Sequence, residues 1–493
     1  MQFLNIQVGK QKTVMKKLTG FALPAILLAV LSGCASVGPD YIKPDMGISA
    51  NWANASTKSD AAQDLSQWWQ QLHDPLLSDL IEQSLKASPD LRSAQAKLRE
   101  SRARRGLAGA NQLPTVSASV SESRSKSSAA TGSGLTRELY SAGFDASWEP
   151  DIFGGTRRAL EASQADLEGS EASLHNTQVS LVAEVALNYV ELRAFQARLG
   201  IARDNLASQS ETLELTGWRA EAGLTSSLDV EQARTNREQT RAQIPALETS
   251  LAQAEHRLAI LLGQAPGTLH DKLAKPALIP TAPDSVAIGI PADTLRQRPD
   301  VRVAERRLAA ETARIGETTA ALYPGFKLSG SIGWEALSFG ALGGGDSLAR
   351  SLLGSVATTL FDGGRIRQRI EIQNAVQEQA LVNYEKTVLS ALEEVENALV
   401  SHANSRKREQ ALREAADAAH NAVLMAHHRY STGIIDFQKV LDTERTLLTV
   451  QDSLKVTEAE SISTLIRLYK ALGGGWKPAA VNETPPLQQG STS

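Results

Sequence analysis

The pattern of hydrophobic and polar residues changes its period twice within each half of this chain. After Pro324, apolar and polar residues alternate over 326–334, as expected for a β-strand with one apolar face. The segment 138–150 alternates in the same way, and weaker alternation occurs at 115–122 and 351–361. The sequence therefore predicts four strands, joined in pairs by Gly- and Ser-rich loops into two hairpins.

The remainder of each half is predicted to be helix of unusual length. Residues 365–432 contain no glycine or proline, and at about 1.5 Å per residue such a helix would extend roughly 100 Å. The matching segment 156–222 contains no proline. Gly223 and Gly433 follow these segments, and glycine commonly ends a helix in the left-handed conformation. We therefore expect a long helix, a tight turn and a return helix in each half.

The two halves are related by an internal repeat with a constant offset. Ten of the 26 positions from Pro89 to Pro114 are identical to the positions 210 residues later, without a gap. Repeats of this kind indicate two copies of one structural unit. We assign the copies to 86–263 and 292–473, and the proline-rich segment 264–291 between them is predicted to be a linker.

Residues 1–33 have the composition of a secretory signal, with a lysine-rich start, an apolar run and small residues at the end. The apolar run is too short for a membrane span, and no later run approaches the required length of about 20 residues. Met15 directly precedes two lysines and is the better start codon, which would make residues 1–14 an extension of the gene model. A buried helix end is the alternative interpretation of the apolar run.

Cys34 is the only cysteine, so no disulfide can form within the chain. The residues Leu31-Ser32-Gly33-Cys34 resemble the lipobox of bacterial lipoproteins, which implies that Cys34 is acylated and becomes the first mature residue. Two or more acyl chains hold a protein on a membrane almost permanently. Ala35 stands where an aspartate would signal retention in the inner membrane, so the outer membrane is expected. The alternative is an ordinary signal peptide followed by an unmodified cysteine.

Charge and motif content exclude several classes of function. The 493 residues carry a net charge of −4, and removal of the four lysines of the signal changes it to −8, which argues against a nucleic-acid partner. The sequence contains no Gly-x-Ser-x-Gly, no His-Glu-x-x-His and no phosphate-binding loop. His427 and His428 are adjacent, but adjacent helical side chains diverge by about 100°. We therefore expect no enzyme activity, no cofactor and no metal site.

The predicted strands are too few to close on themselves. The smallest bacterial β-barrels have about eight strands, and an open edge in lipid leaves backbone groups unpaired at several kcal/mol each. Four strands per chain therefore require copies to share one barrel. Two copies would supply eight strands and three would supply twelve, and only the larger number leaves a wide lumen. We expect a homotrimer whose helices continue the barrel as a periplasmic tube.

At several points the sequence resembles the TolC-like outer-membrane efflux family, in particular its lipoprotein branch that works with RND-type pumps. The residues that carry this resemblance are Cys34, Val37-Gly38-Pro39-Asp40-Tyr41, Pro44, Trp68-Trp69, Asp74-Pro75-Leu76, the two Pro-Asp pairs and Phe361-Asp362-Gly363-Gly364-Arg365. It implies a mixed α and β fold, in which a trimeric outer-membrane β-barrel of twelve strands is continued by a long periplasmic α-helical barrel. Residues 34–85 would form the lipidated N-terminal segment and equatorial region, and 474–493 a flexible tail.

The resemblance also assigns partners and site residues. It implies a passive channel whose closed periplasmic tip opens when a periplasmic adaptor protein and an inner-membrane RND-type pump dock. The docking turns would be formed by Gly223, Leu224, Thr225, Ser226 and Ser227 in the first half and by Gly433, Ile434, Ile435 and Asp436 in the second. The gate would comprise Asp442 and Arg445 of a Leu-Asp-x-x-Arg motif, together with Tyr430 and Gln438.

Alternatives remain at two levels. Asp442 and Arg445 have the three-residue spacing of ordinary solvated charges on a helix, and Gln438 stands where many members of the family place an apolar gate residue. For the whole chain, the alternatives are the outer-membrane channel of a type I protein secretion system, which shares the fold, and a non-conducting periplasmic lipoprotein scaffold built on coiled coils. The transported solute is not encoded in any motif of the chain.

Overall fold

A computed structural model describes residues 36–48, 51–54, 64–283 and 291–477. The signal segment, Met15 and Cys34 lie outside these ranges, so the predictions made for them are not addressed by the structure. The predicted mixture of long helices and four strands is confirmed. In the part of the chain that is described, no helix has both the length and the apolarity needed to cross a membrane.

The main α-helices and the strands follow the same order in the two halves. The elements of the first half are α1 (Pro75–Ala87), α2 (Pro89–Ala110), β1 (Thr115–Lys126), β2 (Thr136–Trp148), α3 (Gly155–Glu221) and α4 (Ser227–Leu261). A short helix, α5 (His270–Leu273), follows. The elements of the second half are α6 (Pro291–Gln297), α7 (Pro299–Ala320), β3 (Gly325–Ala336), β4 (Leu348–Ala357), α8 (Arg365–Ser431) and α9 (Phe437–Ala471).

The four strands form one antiparallel sheet in the order β1-β2-β3-β4. Thr115 pairs with Ser147 in the first hairpin, and Gly325 pairs with Ala357 in the second. Both residues of the second pair lie 210 positions after those of the first, so the repeat extends to the register of the hydrogen-bonded strands. The edges of the sheet are β1 and β4.

The observed strands differ from the predicted ones at their ends. The first strand continues to Lys126, because residues 123–126 pair with 136–139 of β2. The fourth strand was predicted to reach Phe361 but ends at Ala357. Ala357 pairs with Gly325, and the preceding Pro324 has no amide hydrogen to continue the ladder.

The described residues fall into two compact units. One unit comprises the residues up to Asp45 with Leu98–Ser170 and Val303–Tyr384, and it contains the whole sheet. The other comprises Met46–Lys97, Glu171–Arg302 and the residues from Glu385 onward.

In the first unit, the N-terminal segment is held by the residues of the motif that it carries. Arg158 donates to the carbonyl oxygen of Val37 at 3.1 Å and to Asp40 at 2.7 Å. Gly38 has a φ of +90°, and a Cβ atom there would lie 2.3 Å from the Cα atom of Gly316. A side chain at position 38 would therefore clash with backbone and strain the left-handed conformation, which explains the glycine of the Val-Gly-Pro-Asp-Tyr motif.

In the second unit, the two tryptophans belong to the main hydrophobic cluster, and Leu76 of the Asp-Pro-Leu motif packs against it. Trp68 is buried and stacks on Tyr469, with 5.2 Å between ring centroids. Asp74 caps α1 by accepting hydrogen bonds from the amides of the first turn, and the hydroxyl of Tyr189 donates to the same carboxylate at 2.6 Å. These residues therefore serve packing and helix capping.

Two segments that were predicted to lack structure are partly ordered in the second unit. The predicted linker 264–291 contains the helix α5. The predicted tail begins at residue 474, yet Gly474 and Gly475 are buried beside Trp68, and Trp476 stacks on His175 at 4.4 Å. The structure thus differs from the tail prediction at residues 474–476, because the two glycines let the backbone pass close to Trp68 and the ring of Trp476 packs on a residue distant in sequence.

Candidate gate and partner-docking turns

The turn after α3 is built by a left-handed glycine. Gly223 has a φ of +74°, and its amide donates to the carbonyl of Ala220 at 2.9 Å. The amide of Leu224 donates to the carbonyl of Arg219 at 2.8 Å. This pair of hydrogen bonds is a Schellman motif, which satisfies the last carbonyl groups of a helix. The predicted role of Gly223 as a helix-ending residue is confirmed.

The turn after α8 has the same construction 210 residues later. Gly433 has a φ of +75°, and the amide of Ile434 donates to the carbonyl of Arg429 at 2.9 Å. Leu224 is 69% exposed and Ile434 is 71% exposed. In a Schellman motif the residue after the glycine frequently packs on its own helix, whereas here both apolar side chains face solvent.

Each return helix begins with a side-chain cap. Ser226 and Asp229 form a capping box, in which the amide of Ser226 donates to the Asp229 carboxylate at 3.1 Å. The hydroxyl of Thr225 donates to the same carboxylate at 2.6 Å, and this hydrogen bond holds the pKa of Asp229 below its usual range. Asp436 caps α9 by accepting from the amide of Lys439 at 3.0 Å. Both predicted docking turns are therefore fixed at each end by hydrogen bonds that involve the backbone.

Three of the four predicted gate residues lie on the exposed surface of α9. The amide nitrogen of Gln438 donates to Asp442 at 3.0 Å, and Arg445 donates to the side-chain oxygen of Asn236 at 3.1 Å. Asp442 and Arg445 thus each have an uncharged partner within the chain. The assignment of these residues to a gate stays a prediction.

The fourth predicted gate residue, Tyr430, lies in the interior of the chain. Its ring packs against Phe437 with 5.4 Å between centroids, and the guanidinium carbon of Arg219 lies over the ring, 4.6 Å from its centroid. Burial of the ring separates it from the exposed surface that carries Asp442 and Arg445. The structure thus does not bring Tyr430 together with the other three residues, and its role in a gate stays a prediction.

Sequence reasoning missed a buried polar cluster next to the predicted gate. The carboxylate of Glu444 is 4% exposed and accepts from Thr212 at 2.9 Å and from Asn236 at 3.4 Å. The Nε2 atom of His427 lies 3.2 Å from the same carboxylate. Because these partners belong to α3, α4 and α8, a single side chain of α9 connects all four long helices. Asn236 also contacts the predicted gate residue Arg445.

This cluster is not a consequence of the repeat. The position equivalent to Glu444 in the first half is Arg234, which forms an exposed ion pair with Glu231 at 2.8 Å. Glu444 lies between Leu441 and Leu447, which are both buried on α9. A charged residue on the apolar stripe of a helix was the sequence signal that could have identified it.

Within residues 36–48, 51–54, 64–283 and 291–477, no group of three or more His, Cys, Asp or Glu side chains could hold a metal ion. His427 contacts Glu444 rather than a second histidine. The candidate site is therefore a set of helix turns, surface side chains and one buried hydrogen-bond cluster.

Comparison with known proteins agrees with this architecture. A model of the family described as "Outer membrane efflux protein" matches residues 80–264 and 290–474, which are the two halves of the repeat. The chain is 31% identical to Nodulation protein T of Rhizobium leguminosarum bv. trifolii, over 94% of this chain and 99% of that protein. It is 33% identical to the toluene efflux pump outer membrane protein TtgC of Pseudomonas putida, over 92% of this chain and 95% of that protein.

Comparison with solved structures also identifies outer-membrane channels as similar proteins. The outer-membrane channel OprN is 39% identical, with a TM-score of 0.85 over 90% of this chain and 100% of that structure. The open state of the MtrE outer membrane channel of Neisseria gonorrhoeae is 26% identical, with a TM-score of 0.79 over 90% of this chain and 99% of that structure. With both halves matched by the family model and relatives aligned along nearly its full length, the chain belongs to the outer membrane efflux protein family.

Proposed function

We propose that three copies of this chain form the outer-membrane channel of a tripartite efflux system and conduct solutes passively out of the cell. The observation that carries this proposal is the four-stranded sheet, which has an exposed apolar face and two open edges. The chain has no catalytic role in this proposal, and the energy for transport comes from an inner-membrane pump.

One face of the sheet suits a lipid environment. Large apolar side chains on this face, which we call the apolar face, are each more than half exposed: Val116, Val120, Phe144, Ile332, Leu352 and Val356. Phe144 pairs directly with Ile332, so these residues share one face across the strands. A contiguous apolar surface of this kind is costly in water, whereas it is favourable against acyl chains.

The opposite face suits an aqueous lumen. Serines occupy alternate positions along β1 and continue on the other strands. Their hydroxyl groups form cross-strand hydrogen bonds, such as Ser121 with Ser141 and Ser331 with Ser351, each at 2.8 Å. Alternation of lipid-facing apolar residues with polar lumen residues is the pattern of transmembrane β-barrels.

The open edges support an assembly of copies. Strands β1 and β4 each pair with one neighbour only among the described residues. An unpaired edge in lipid would cost several kcal/mol for each backbone group, so pairing of β4 with β1 of another copy is strongly favoured. Three copies of four strands give a twelve-stranded barrel with an open lumen.

The helices of the sheet-containing unit support the same assembly. Ala162 of α3 is 3% exposed, whereas Ile372, its equivalent on α8, is 63% exposed. The neighbouring Ala165 of α3 packs on Ala309 and Ala310 of α7. The surface of α8 that corresponds to this contact is uncovered within one chain. In a closed ring, α2 of the next copy would occupy the place on α8 that α7 occupies on α3.

The tip supports the assignment of partners. Leu224 and Ile434 offer exposed apolar side chains on rigid turns, as a docking site for a periplasmic adaptor protein requires. Asp442 of three copies would form an acidic ring, and contacts of Arg445 between copies would help to hold the tip closed. Exposed charge pairs contribute about 0–1 kcal/mol each, so docking of the adaptor and an RND-type pump could break them.

The proposed lipid anchor at Cys34 supports localisation at the outer membrane. Acylation of Cys34 would attach the protein to the outer membrane, and the segment that follows it binds to the sheet-containing unit. The hydroxyl of Tyr41 donates to Glu305 at 3.2 Å, and Lys43 forms an ion pair with the same carboxylate at 3.3 Å. These contacts would fix the start of the mature chain beside the membrane.

Reconstitution of the purified protein into a planar lipid bilayer tests the proposal. A channel gives discrete conductance steps, and a non-conducting coiled-coil scaffold gives none. Co-purification of an adaptor and an RND-type pump, in place of an ABC transporter, distinguishes efflux from type I protein secretion.

A further inference from the structure

Three cations interrupt the apolar face of the sheet near the hairpin loops, and one of them, Arg124, pairs with Glu138 at 3.3 Å, so Lys126 and Arg350 remain. Lys126 is the last residue of β1, and Arg350 is the third residue of β4. Since side chains alternate along a strand, Lys126 lies on the same face as Val120, and Arg350 lies on the same face as Leu352. In one copy the two cations stand on opposite edges of the sheet.

The repeat predicts how these edges meet between copies. Tyr140 of β2 pairs with Ala336 of β3. Moving 210 residues forward from Tyr140 gives Arg350 of β4, and moving 210 residues back from Ala336 gives Lys126 of β1. If the seam between copies repeats the β2–β3 register, Arg350 lies directly opposite Lys126 of the next copy. By the same rule, Leu352 lies opposite Arg124.

The resulting pair of like charges lacks a counterion in the protein. Like charges directly opposite in a sheet are destabilising. Neither Lys126 nor Arg350 forms an ion pair in the described parts of the chain. The nearby acids are engaged elsewhere, since Glu138 pairs with Arg124 at 3.3 Å and Glu122 accepts from the hydroxyl of Tyr140 at 3.3 Å. An anion from outside the protein would therefore find two cations that no carboxylate of the described chain pairs with directly.

We infer that each seam binds a phosphate-bearing headgroup of an outer-leaflet lipid between Arg350 and Lys126 of the next copy. Arginine offers a planar fork that matches a phosphate group, and lysine adds a second positive charge. The exposed side chains of Leu352 and Val356 continue the same face and would contact the acyl chains. This inference rests on the proposed shared barrel, and it assigns three equivalent lipid sites to a trimer.

A cross-linking experiment tests the register of the seam. Lys126→Cys combined with Arg350→Cys, in the full chain, should form a disulfide between copies, because directly opposed strand residues have Cα atoms about 4.5–5.5 Å apart. Lys126→Cys with Ala349→Cys is the matched control, since Ala349 points to the other face and should not cross-link. Absence of the first cross-link in an assembled trimer would overturn the register and the lipid site, whereas a monomer would overturn the proposed barrel itself.

A binding experiment tests the lipid. Bisphosphorylated lipid A is titrated into the detergent-solubilised full-length protein, and binding is measured by native mass spectrometry. Lys126→Gln with Arg350→Gln should weaken binding about tenfold, since charge-assisted hydrogen bonds are lost. Lys327→Gln removes a charge from the opposite face and should have no effect. Dephosphorylated lipid A should bind the unchanged protein as weakly as the double variant binds lipid A.

The integrity of the seam in the double glutamine variant is checked at a neighbouring pair of positions. Arg124→Cys with Leu352→Cys, added to the two glutamine substitutions, should still form a disulfide between copies, because these residues are opposed in the same register. Formation of this cross-link shows that weaker lipid binding does not come from a broken seam.

Two outcomes would overturn the lipid site and leave the channel intact. In the first outcome, the double glutamine variant binds lipid A with the same affinity as the unchanged protein, while the seam still cross-links through positions 124 and 352. The other is complete displacement of lipid A by inorganic phosphate, which would show that the two cations take free phosphate rather than a lipid.

Discussion

Glu444 of the second repeat accepts a hydrogen bond from Thr212 of the first repeat, with 2.9 Å between the two oxygen atoms. The contact is buried, and the same carboxylate reaches Asn236 and His427 on two further helices. Burial of a carboxylate is costly unless its hydrogen bonds are satisfied. The cluster therefore favours one arrangement of the two helical hairpins, directly beside the predicted gate residue Arg445.

We expect Glu444→Ala to loosen the tip. Removal of the carboxylate leaves the buried side-chain amide of Asn236 without its acceptor, at a cost of about 2 kcal/mol, whereas the hydroxyl of Thr212 can still donate to the carbonyl of Ser208. The hairpins should then separate more readily, and cells should become sensitive to vancomycin, which is too large for ordinary outer-membrane pores. The inhibitory concentration of vancomycin measures the effect.

Arg234→Ala is the matched control for Glu444, because Arg234 holds the equivalent position in the first repeat and forms only an exposed ion pair. Exposed pairs contribute little, so this variant should match the unchanged protein. Normal vancomycin resistance of a well-expressed Glu444→Ala trimer would contradict the role of the buried cluster.

The predicted gate is tested by Asp442→Ala with Arg445→Ala. Both side chains are exposed and have neutral partners within the chain, so their loss should leave the fold intact. If they close the tip between copies, the double variant should show larger conductance steps in planar bilayers. Conductance equal to that of the unchanged trimer would mean that the two residues are solvated helix charges.

The glycine turns give a prediction about stability. Gly223→Ala places a Cβ atom on a left-handed residue and should destabilise the protein by about 1–2 kcal/mol. Gly200→Ala, within α3 and with open space around it, should stabilise by about 0.5–1 kcal/mol through helix propensity. The midpoints of thermal unfolding should shift in opposite directions, and equal shifts would contradict the turn geometry.

The capping box predicts a response to acid. Hydrogen bonds from the Thr225 hydroxyl and the Ser226 amide hold the pKa of Asp229 below its usual value of about 3.9. A depressed pKa stabilises the turn above that value, and the stabilisation is lost as the pH falls through the folded-state pKa. The amides at the start of α4 should therefore be protected from hydrogen exchange at neutral pH, and they should lose this protection only in acid.

Asp229→Asn provides the control for the acid response. Asparagine keeps the side-chain oxygen but does not titrate in this range. Protection at the start of α4 should become independent of pH in this variant. An unchanged acid response would assign the titration to another group.

Local rules allowed much of the fold to be predicted from the sequence. Gly223 and Gly433 follow long helical segments, and the left-handed ends that they form depend only on nearby backbone. The alternation of apolar and polar residues also depends only on nearby sequence, so it located the four strands. The end of β4 at Ala357 was not predicted, because it depends on Pro324, which is distant in sequence.

Features that depend on tertiary packing were less accessible from the sequence. The resemblance placed Tyr430 near the tip, but only the packing of helices shows that its ring is buried against Phe437. Trp476 was assigned to a flexible tail, but it stacks on His175, which lies 301 residues earlier in the sequence. The Glu444 cluster joins residues from four helices, and no local pattern contains more than one of them.

The number of copies in the detergent-extracted protein tests the central claim most directly. Native mass spectrometry of the full-length chain should give a single assembly of three copies, with each chain contributing about 52.8 kDa before processing and acylation. A folded monomer, or a dimer with a closed eight-stranded sheet, would contradict the account.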